Sequence, residues 1–273
     1  MAEFKTEKVS ERVTRIYAVN TELMYLVEGT SRAALLDTGS GFGSLKRVVE
    51  TLTDKPVIVL LTHGHTDHAM GAGEFEEVYM NHEDDDIYQV HGEKEFRWDG
   101  MKMSEAYDKL EESDYIETKP LSLMKDMKAG DVFDLGELHI DVYDCKGHTK
   151  GSLAMLIREE RMLLTGDGCN PFTFLFEDYS LSVTEYEEEL VNLKKLTDGR
   201  YDRILLSHGD GEASDEIIEG VIKVCEEIKA HTADDVPFAF KDSNGLLAKK
   251  MQIPQMIRED DGCGNIVYNP KRI

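Results

Sequence analysis

Six consecutive residues, His63-Gly64-His65-Thr66-Asp67-His68, place three imidazoles and a carboxylate directly after the apolar run Val57-Ile58-Val59-Leu60-Leu61. Such a strand end is poor core material, because a polar group buried without a partner costs roughly 1–3 kcal/mol. A metal ion satisfies all of these groups together, so the run reads as the first half of a metal site. The remainder of a ligand set lies downstream. Gly147-His148-Thr149 follows the alternating segment Leu138-His139-Ile140-Asp141-Val142-Tyr143, Thr165-Gly166-Asp167 follows Met162-Leu163-Leu164, and Ser207-His208-Gly209 follows Ile204-Leu205-Leu206. In each case a His or Asp stands just beyond an apolar run and beside a glycine that lets the backbone turn sharply. Ligands on loops held by rigid strands are what a preorganised site requires.

The elements that must position these residues alternate between strand and helix. Val13 to Tyr17, Leu23 to Val27 and Ala33 to Leu36 read as successive strands. A helix is expected from Leu45 to Leu52, ending before Pro56, and Val57 to Leu61 is the strand that delivers the first motif. The second half reads as strands near 131–135, 138–143, 153–157 and 161–164, a helix over 184–197, a strand over 203–206 and a helix over 214–230. Periodicity alone supports an α/β fold.

With the motifs in this order, the chain resembles the metallo-β-lactamase superfamily. The likeness covers residues 20 to 210 and rests on the His-x-His-x-Asp-His signature, the later His148, Asp167 and His208, and the early Leu35-Leu36-Asp37-Thr38-Gly39. It implies a four-layer αββα sandwich with the metals at one edge between the sheets. It also implies two divalent ions, zinc first and iron or manganese as alternatives: His63, His65 and His148 on one, Asp67, His68 and His208 on the other, Asp167 bridging, and Asp37 supporting the ligand loops. Imidazole and carboxylate donors suit these metals. Two ions about 3.5–4 Å apart can share a hydroxide of lowered pKa. Asp67 can orient that nucleophile and shuttle its proton. Tyr179 is a candidate donor to the reacting carbonyl, as a tyrosine is in some related lactonases.

Composition bounds the rest. A chain of 273 residues, 41% hydrophobic, suits one large α/β domain with a modest insertion. No stretch approaches a membrane span and the N-terminus begins no secretory segment. The four cysteines form no Cys-x-x-Cys pair, which suggests a reducing compartment and a cytoplasmic protein. A net charge of −24 repels polyanions, so the nucleases of the superfamily are disfavoured and no nucleic-acid partner is expected.

We divide the chain into a main domain, 1–231, with an insertion at about 82–128, and a C-terminal extension, 232–273, packing on the same domain. The insertion carries the acidic run Glu83-Asp84-Asp85-Asp86, Trp98, and the methionines Met101, Met103, Met124 and Met127, with a helix expected from Ser104 to Leu110. It reads as a lid over the pocket or as a solvated excursion packed on the domain. The extension shows turn signals at Pro237, Asn244-Gly245 and Pro254, and a segment from Asn265 to Tyr268 that could join a sheet edge or the partner in a homodimer.

His82, His91, His139 and His231 receive no ligand role, although His82 and His91 lie where substrate could touch them. Lys150 reads as exposed and Cys169 as an inert loop thiol. Phe172, Phe174 and Phe176 read as core filling. The expected reaction is hydrolysis of a thioester or lactone of a small metabolite. The hydrolase alternative is a phosphodiesterase or phosphorylcholine esterase. The redox alternative is a mononuclear-iron sulfur dioxygenase. A flavodiiron enzyme is disfavoured because His65 stands where such proteins usually carry Glu. β-Lactamase activity does not follow from the superfamily name, since one fold hosts many chemistries.

Overall fold

The computed structural model describes residues 4–20, 22–241, 243–252 and 257–273; Pro254 lies outside them. Two mixed sheets face one another. The first has seven strands in chain order, from Lys5–Lys8 to Lys125–Asp126. Its early strands pair antiparallel, and Ala33–Leu36, Val57–Leu60, Glu77–Met80 and Lys125–Asp126 then run parallel. The second has six strands, with Leu153–Ile157 and Met162–Leu164 at its centre and Arg203–Leu205 parallel to the latter.

The alternation of side chains along these strands sorts them into layers. Leu23, Tyr25, Val27, Leu36 and Leu60 of the first sheet meet Ile140, Val142, Met155 and Leu164 of the second in a buried core. The opposite face of the first sheet, with Met24, Leu26, Leu35 and Val59, is covered by Leu45 and Val49 of the helix Leu45–Leu52. The outer face of the second sheet, with Leu156, Leu163 and Ile204, packs on the helices Val183–Thr197 and Ile217–Lys229. Helix, sheet, sheet and helix thus form four layers.

Helix Leu45–Leu52 begins at Ser44, whose hydroxyl accepts the Arg47 N–H, and Val183–Thr197 begins with a reciprocal Ser182–Glu185 capping box. Between residues 82 and 128 the helices are Asp85–His91 and Lys94–Met101. The helix expected over Ser104 to Leu110 is reduced to one turn at Tyr107–Lys109. The methionines and tryptophan of this stretch divide. Met124 and Met127 are buried, Trp98 packs edge-on against Phe42 at 4.8 Å, and Met101 and Met103 line a cavity.

A third sheet links the two ends of the chain's second half. Thr173–Leu175 pairs parallel with Ile266–Tyr268, which pairs with Ser243–Leu247, which pairs in turn with Val236–Phe240. Ile266–Tyr268 is therefore an inner strand of this sheet.

Candidate metal centre

The strand Val57–Leu60 ends three residues before His63, and the helical turn Thr66–Ala69 comes at once after His65. That tight turn brings four donor groups to one edge of the molecule. The loops after His139–Asp144, after Met162–Leu164 and after Arg203–Leu205 supply His148, Asp167 and His208 to the same edge. Two donor groups result. His63, His65 and His148 form one, and Asp67, His68, Asp167 and His208 form the other, each with its ligand atoms within 4.8 Å of one another. All seven residues singled out as ligands are thus brought together.

The hydrogen bonds select which nitrogen each ring offers. His148 Nδ1 lies 2.8 Å from the Phe174 carbonyl, so it carries the proton and leaves Nε2 as a lone pair, 2.8 Å from His65 Nδ1. His63 Nδ1 lies 3.0 Å from Thr62 Oγ1, and its Nε2 is buried without a partner, as is His65 Nε2. Burial, then the neighbouring imidazoles, hold His63 and His65 well below the usual histidine range. Two neutral imidazoles with orphaned nitrogens, beside the Nε2 lone pair of His148 in the same dry cluster, fit a divalent cation, which would supply the missing partner.

The second group has the opposite electrostatics. His68 Nδ1 donates to Asp37 Oδ2 at 2.8 Å, and Asp37 also accepts the Thr62 N–H and hydroxyl at 2.7 and 2.8 Å. Burial works to lower the pKa of His68, but Asp67, Asp167 and Asp37 overcome it and hold it well above the usual range. His208 is half-buried, and against the partial loss of water around it Asp167 and then Asp67 lift it to about 9. Burial would raise Asp167, yet His208 and His68 pull its carboxyl well below the usual range. Asp167 Oδ2 lies 3.3 Å from His208 Nε2, 3.5 Å from His68 Nε2 and 3.8 Å from His148 Nε2, so a single oxygen faces both groups.

A cavity of about 980 Å³ opens over the centre. Its apolar walls come from Phe96 and Met101 and from Phe172, Phe174 and Phe240, the last two on strands of the third sheet. Phe172 and Phe174 are half-buried and pack on Phe238, so the alternating phenylalanines serve this wall, while Phe176 is core. Tyr179 lines the cavity with its ring edge-on to His65 at 5.4 Å, and burial raises its pKa, keeping the phenol protonated.

Three residues outside the expected ligand set stand at this site. His91 stacks between His65 and Phe96 at 4.6 and 4.4 Å, and its Nδ1 accepts the Thr66 N–H at 3.3 Å. Burial lowers it to about 4, so the ring is neutral near pH 7 and its proton sits on Nε2. Asp84 is fully buried beneath the ligand loops. Glu22 is also buried, accepting the Ser40 N–H at 2.9 Å, with burial raising its pKa. Only His91 carries a signal in the sequence, as a histidine in the insertion. Of the others, His82 pairs with Asp85 at 2.7 Å, His139 pairs with Glu159 at 2.8 Å, and His231 and Lys150 are exposed. Cys169 is buried in the outer core with its thiol pKa pushed well up by burial.

A four-layer sandwich carrying two donor groups at one edge defines the class, and the comparisons agree with it. The chain belongs to the metallo-beta-lactamase superfamily, whose family model matches residues 19–208. It is similar to proteins named acyl-coenzyme A thioesterase MBLAC2. The human protein is 25% identical over 175 residues, 54% of this chain and 58% of that one, so the match spans little more than half of the human relative. The Gallus gallus protein is 26% identical over 203 residues, 69% and 73% of the two chains. Among solved structures, a metallo-beta-lactamase from Pontibacter korlensis superposes with a TM-score of 0.59 at 14% identity, covering 82% of this chain and 99% of that one. That likeness is one of fold. The His and Asp groups suit divalent metal ions.

Proposed function

We propose that this protein is a dinuclear hydrolase of acyl thioesters, acting on a small metabolite carrying an apolar acyl group. The observation that carries the reading is the shared oxygen of Asp167, which faces His148 on one side and His68 and His208 on the other. His63, His65 and His148 would hold one ion, Asp67, His68 and His208 the other, with Asp167 between them. Zinc is the first choice for an imidazole-rich set, with iron or manganese as alternatives. The thioester preference is supported by the names of the relatives and by the apolar walls of the cavity, which suit an acyl chain better than a phosphodiester.

When bound, the two ions would supply Lewis acidity and make a water molecule acidic enough to give up its proton at neutral pH. The chain's residues do the rest. Asp67, its Oδ2 3.4 Å from His208 Nε2, accepts the proton of the attacking water and returns it to the leaving thiolate. Tyr179, protonated in its buried setting, donates to the carbonyl oxygen as charge develops there. Phe96, Phe172 and Phe240 exclude water from the acyl group. Among the described residues no helix is long and apolar enough to cross a membrane. The four free cysteines support a reducing, cytoplasmic setting. A homodimer is compatible with this reading.

The test is a substrate panel with zinc- and manganese-loaded protein: acyl-CoA, acyl-glutathione, an acyl lactone and bis-nitrophenyl phosphate, with Asp67→Ala as control. Thioester turnover lost in Asp67→Ala is expected. Tyr179→Phe should keep its metal content and lose on the order of 10²-fold in kcat, the usual cost of one oxyanion donor. Turnover of the phosphodiester alone would overturn the thioester reading. Silence across the panel together with oxygen uptake on a persulfide would replace hydrolysis with sulfur oxidation.

A further inference from the structure

Asp84 sits in the acidic run that follows the strand Glu77–Met80, yet its side chain is fully buried. Its Oδ2 accepts the Gly64 N–H at 2.9 Å and the Thr149 hydroxyl at 2.7 Å, while Oδ1 accepts the Gly151 N–H at 2.8 Å. Gly64 lies between His63 and His65, and Thr149 follows His148. One carboxylate therefore bonds to both loops that carry the three histidines. The approach is close from both sides. A Cβ on Gly64 would fall 3.0 Å from Asp84 Cβ, and one on Gly151 would fall 2.6 Å from Asp84 Cγ. Glycine at these two positions is what lets the loops close on the acid.

We propose that Asp84 is a positioning residue for the three-histidine half of the centre, fixing the loop of His63 and His65 against the loop of His148. The proposal rests on reading those histidines as metal ligands. A carboxylate is required rather than any polar group of that size. All three partners are donors, so both oxygens must accept, and an amide would turn its NH₂ toward one of them. The same residue opens the helix Asp85–His91, whose last ring stacks on His65, and Lys94–Met101 comes next with Phe96 and Met101 on the cavity wall. Asp84 thus ties ligand placement to the wall of the substrate cavity. Asp37, by contrast, reaches His68 in the other half and the Thr62 that precedes His63, and makes no bond to the His148 loop among the described residues.

The experiment is a stepwise zinc titration of the full chain against a chromophoric chelator, repeated with cobalt to read the ligand-field spectrum of each step. His63→Ala and His208→Ala mark which step belongs to which half. Asp84→Asn should weaken the step that His63→Ala abolishes by about 10–100-fold, the usual cost of removing a group that orients ligands. It should leave the step that His208→Ala abolishes almost unchanged, and shift the cobalt spectrum of the first step alone. Thr149→Val, which takes one of the three donors from Asp84 along with a bond to the Ser152 hydroxyl, should weaken the same step by less and keeps the test decisive where Asp84→Asn does not fold. Equal weakening of both steps would show a general structural role and overturn the proposal, as would wild-type binding in folded Asp84→Asn or Thr149→Val. The titration reads metal alone, so absence of thioesterase turnover leaves its outcome intact.

Discussion

The two halves of the centre are built on opposite principles. The three-histidine half is dry, with His63, His65 and His148 at 1, 7 and 5% exposure, and burial with mutual repulsion keeps His63 and His65 neutral. The other half mixes Asp67 and Asp167 with His68 and His208, and its carboxylates draw positive charge onto the imidazoles. His208 is its open flank, with 41% of its side chain exposed. Neutral donors are ready to hold an ion as they stand, whereas the carboxylate-bearing, partly open half must release the protons of His68 and His208 to bind one, and it leaves room for substrate. Under the proposed function the two halves would have different duties: the first would anchor an ion, and the second would exchange water and substrate.

The shared oxygen of Asp167 joins the two duties, and removing it should have the largest effect. Asp167→Ala is expected to lose about 10³-fold or more in turnover, with fewer than two ions retained, because one side chain both bridges and balances charge. Metal analysis alongside single-substrate kinetics checks this. Full activity with two ions retained would sink the bridging assignment.

The next contrast separates the halves directly. His208→Ala should spare the ion held by His63, His65 and His148 and lower kcat by about 10²-fold, since the working flank is lost while the anchor stays. His63→Ala should do the reverse in metal analysis, losing the anchored ion first. If both variants lost the same ion in the same order, the division of labour proposed for the halves would be wrong.

Much of this site was legible because its chemistry is local in sequence. Three imidazoles and a carboxylate in six residues after an apolar strand announce themselves, and strands such as Val13–Tyr17 and Leu153–Ile157 carry their apolar residues within a few positions. Asp84 was illegible for the opposite reason. It looks like one of four solvated acids, and nothing nearby records that its partners lie 20, 65 and 67 positions away. The third sheet was hidden likewise. Phe172 and Phe174 become a cavity wall because Thr173–Leu175 pairs with residues 266–268 and the two rings pack against Phe238 and Phe240, a long-range event that period-two spacing cannot reveal. The 104–110 stretch differs for a local reason: Ser104 Oγ accepts the Ala106 N–H at 3.2 Å, a bond that competes with helix, and only Tyr107–Lys109 closes a helical turn.

The smallest effect tests whether the open half is only loosely held or is held from beneath. His208 sits on a loop whose backbone is gripped by the first sheet: the Leu23 N–H donates to the Ser207 carbonyl at 2.8 Å, and the Tyr25 hydroxyl lies 2.6 Å from the Leu206 carbonyl and 3.0 Å from that of Gly211. Arg15 reaches the Gly211 carbonyl at 3.2 Å and pairs with Glu212. Tyr25→Phe removes one hydroxyl from a fully buried ring, leaving the Gly211 carbonyl to Arg15 and costing about 1–2 kcal/mol in stability. That loss should fall on the loop of His208 and weaken the second ion by no more than about 10-fold, the equivalent of 1.4 kcal/mol, with the anchored ion untouched. Thermal unfolding and the stepwise titration read the two consequences separately. Loss of the anchored ion in Tyr25→Phe would show that the halves share one support and that their difference stops at the ligands.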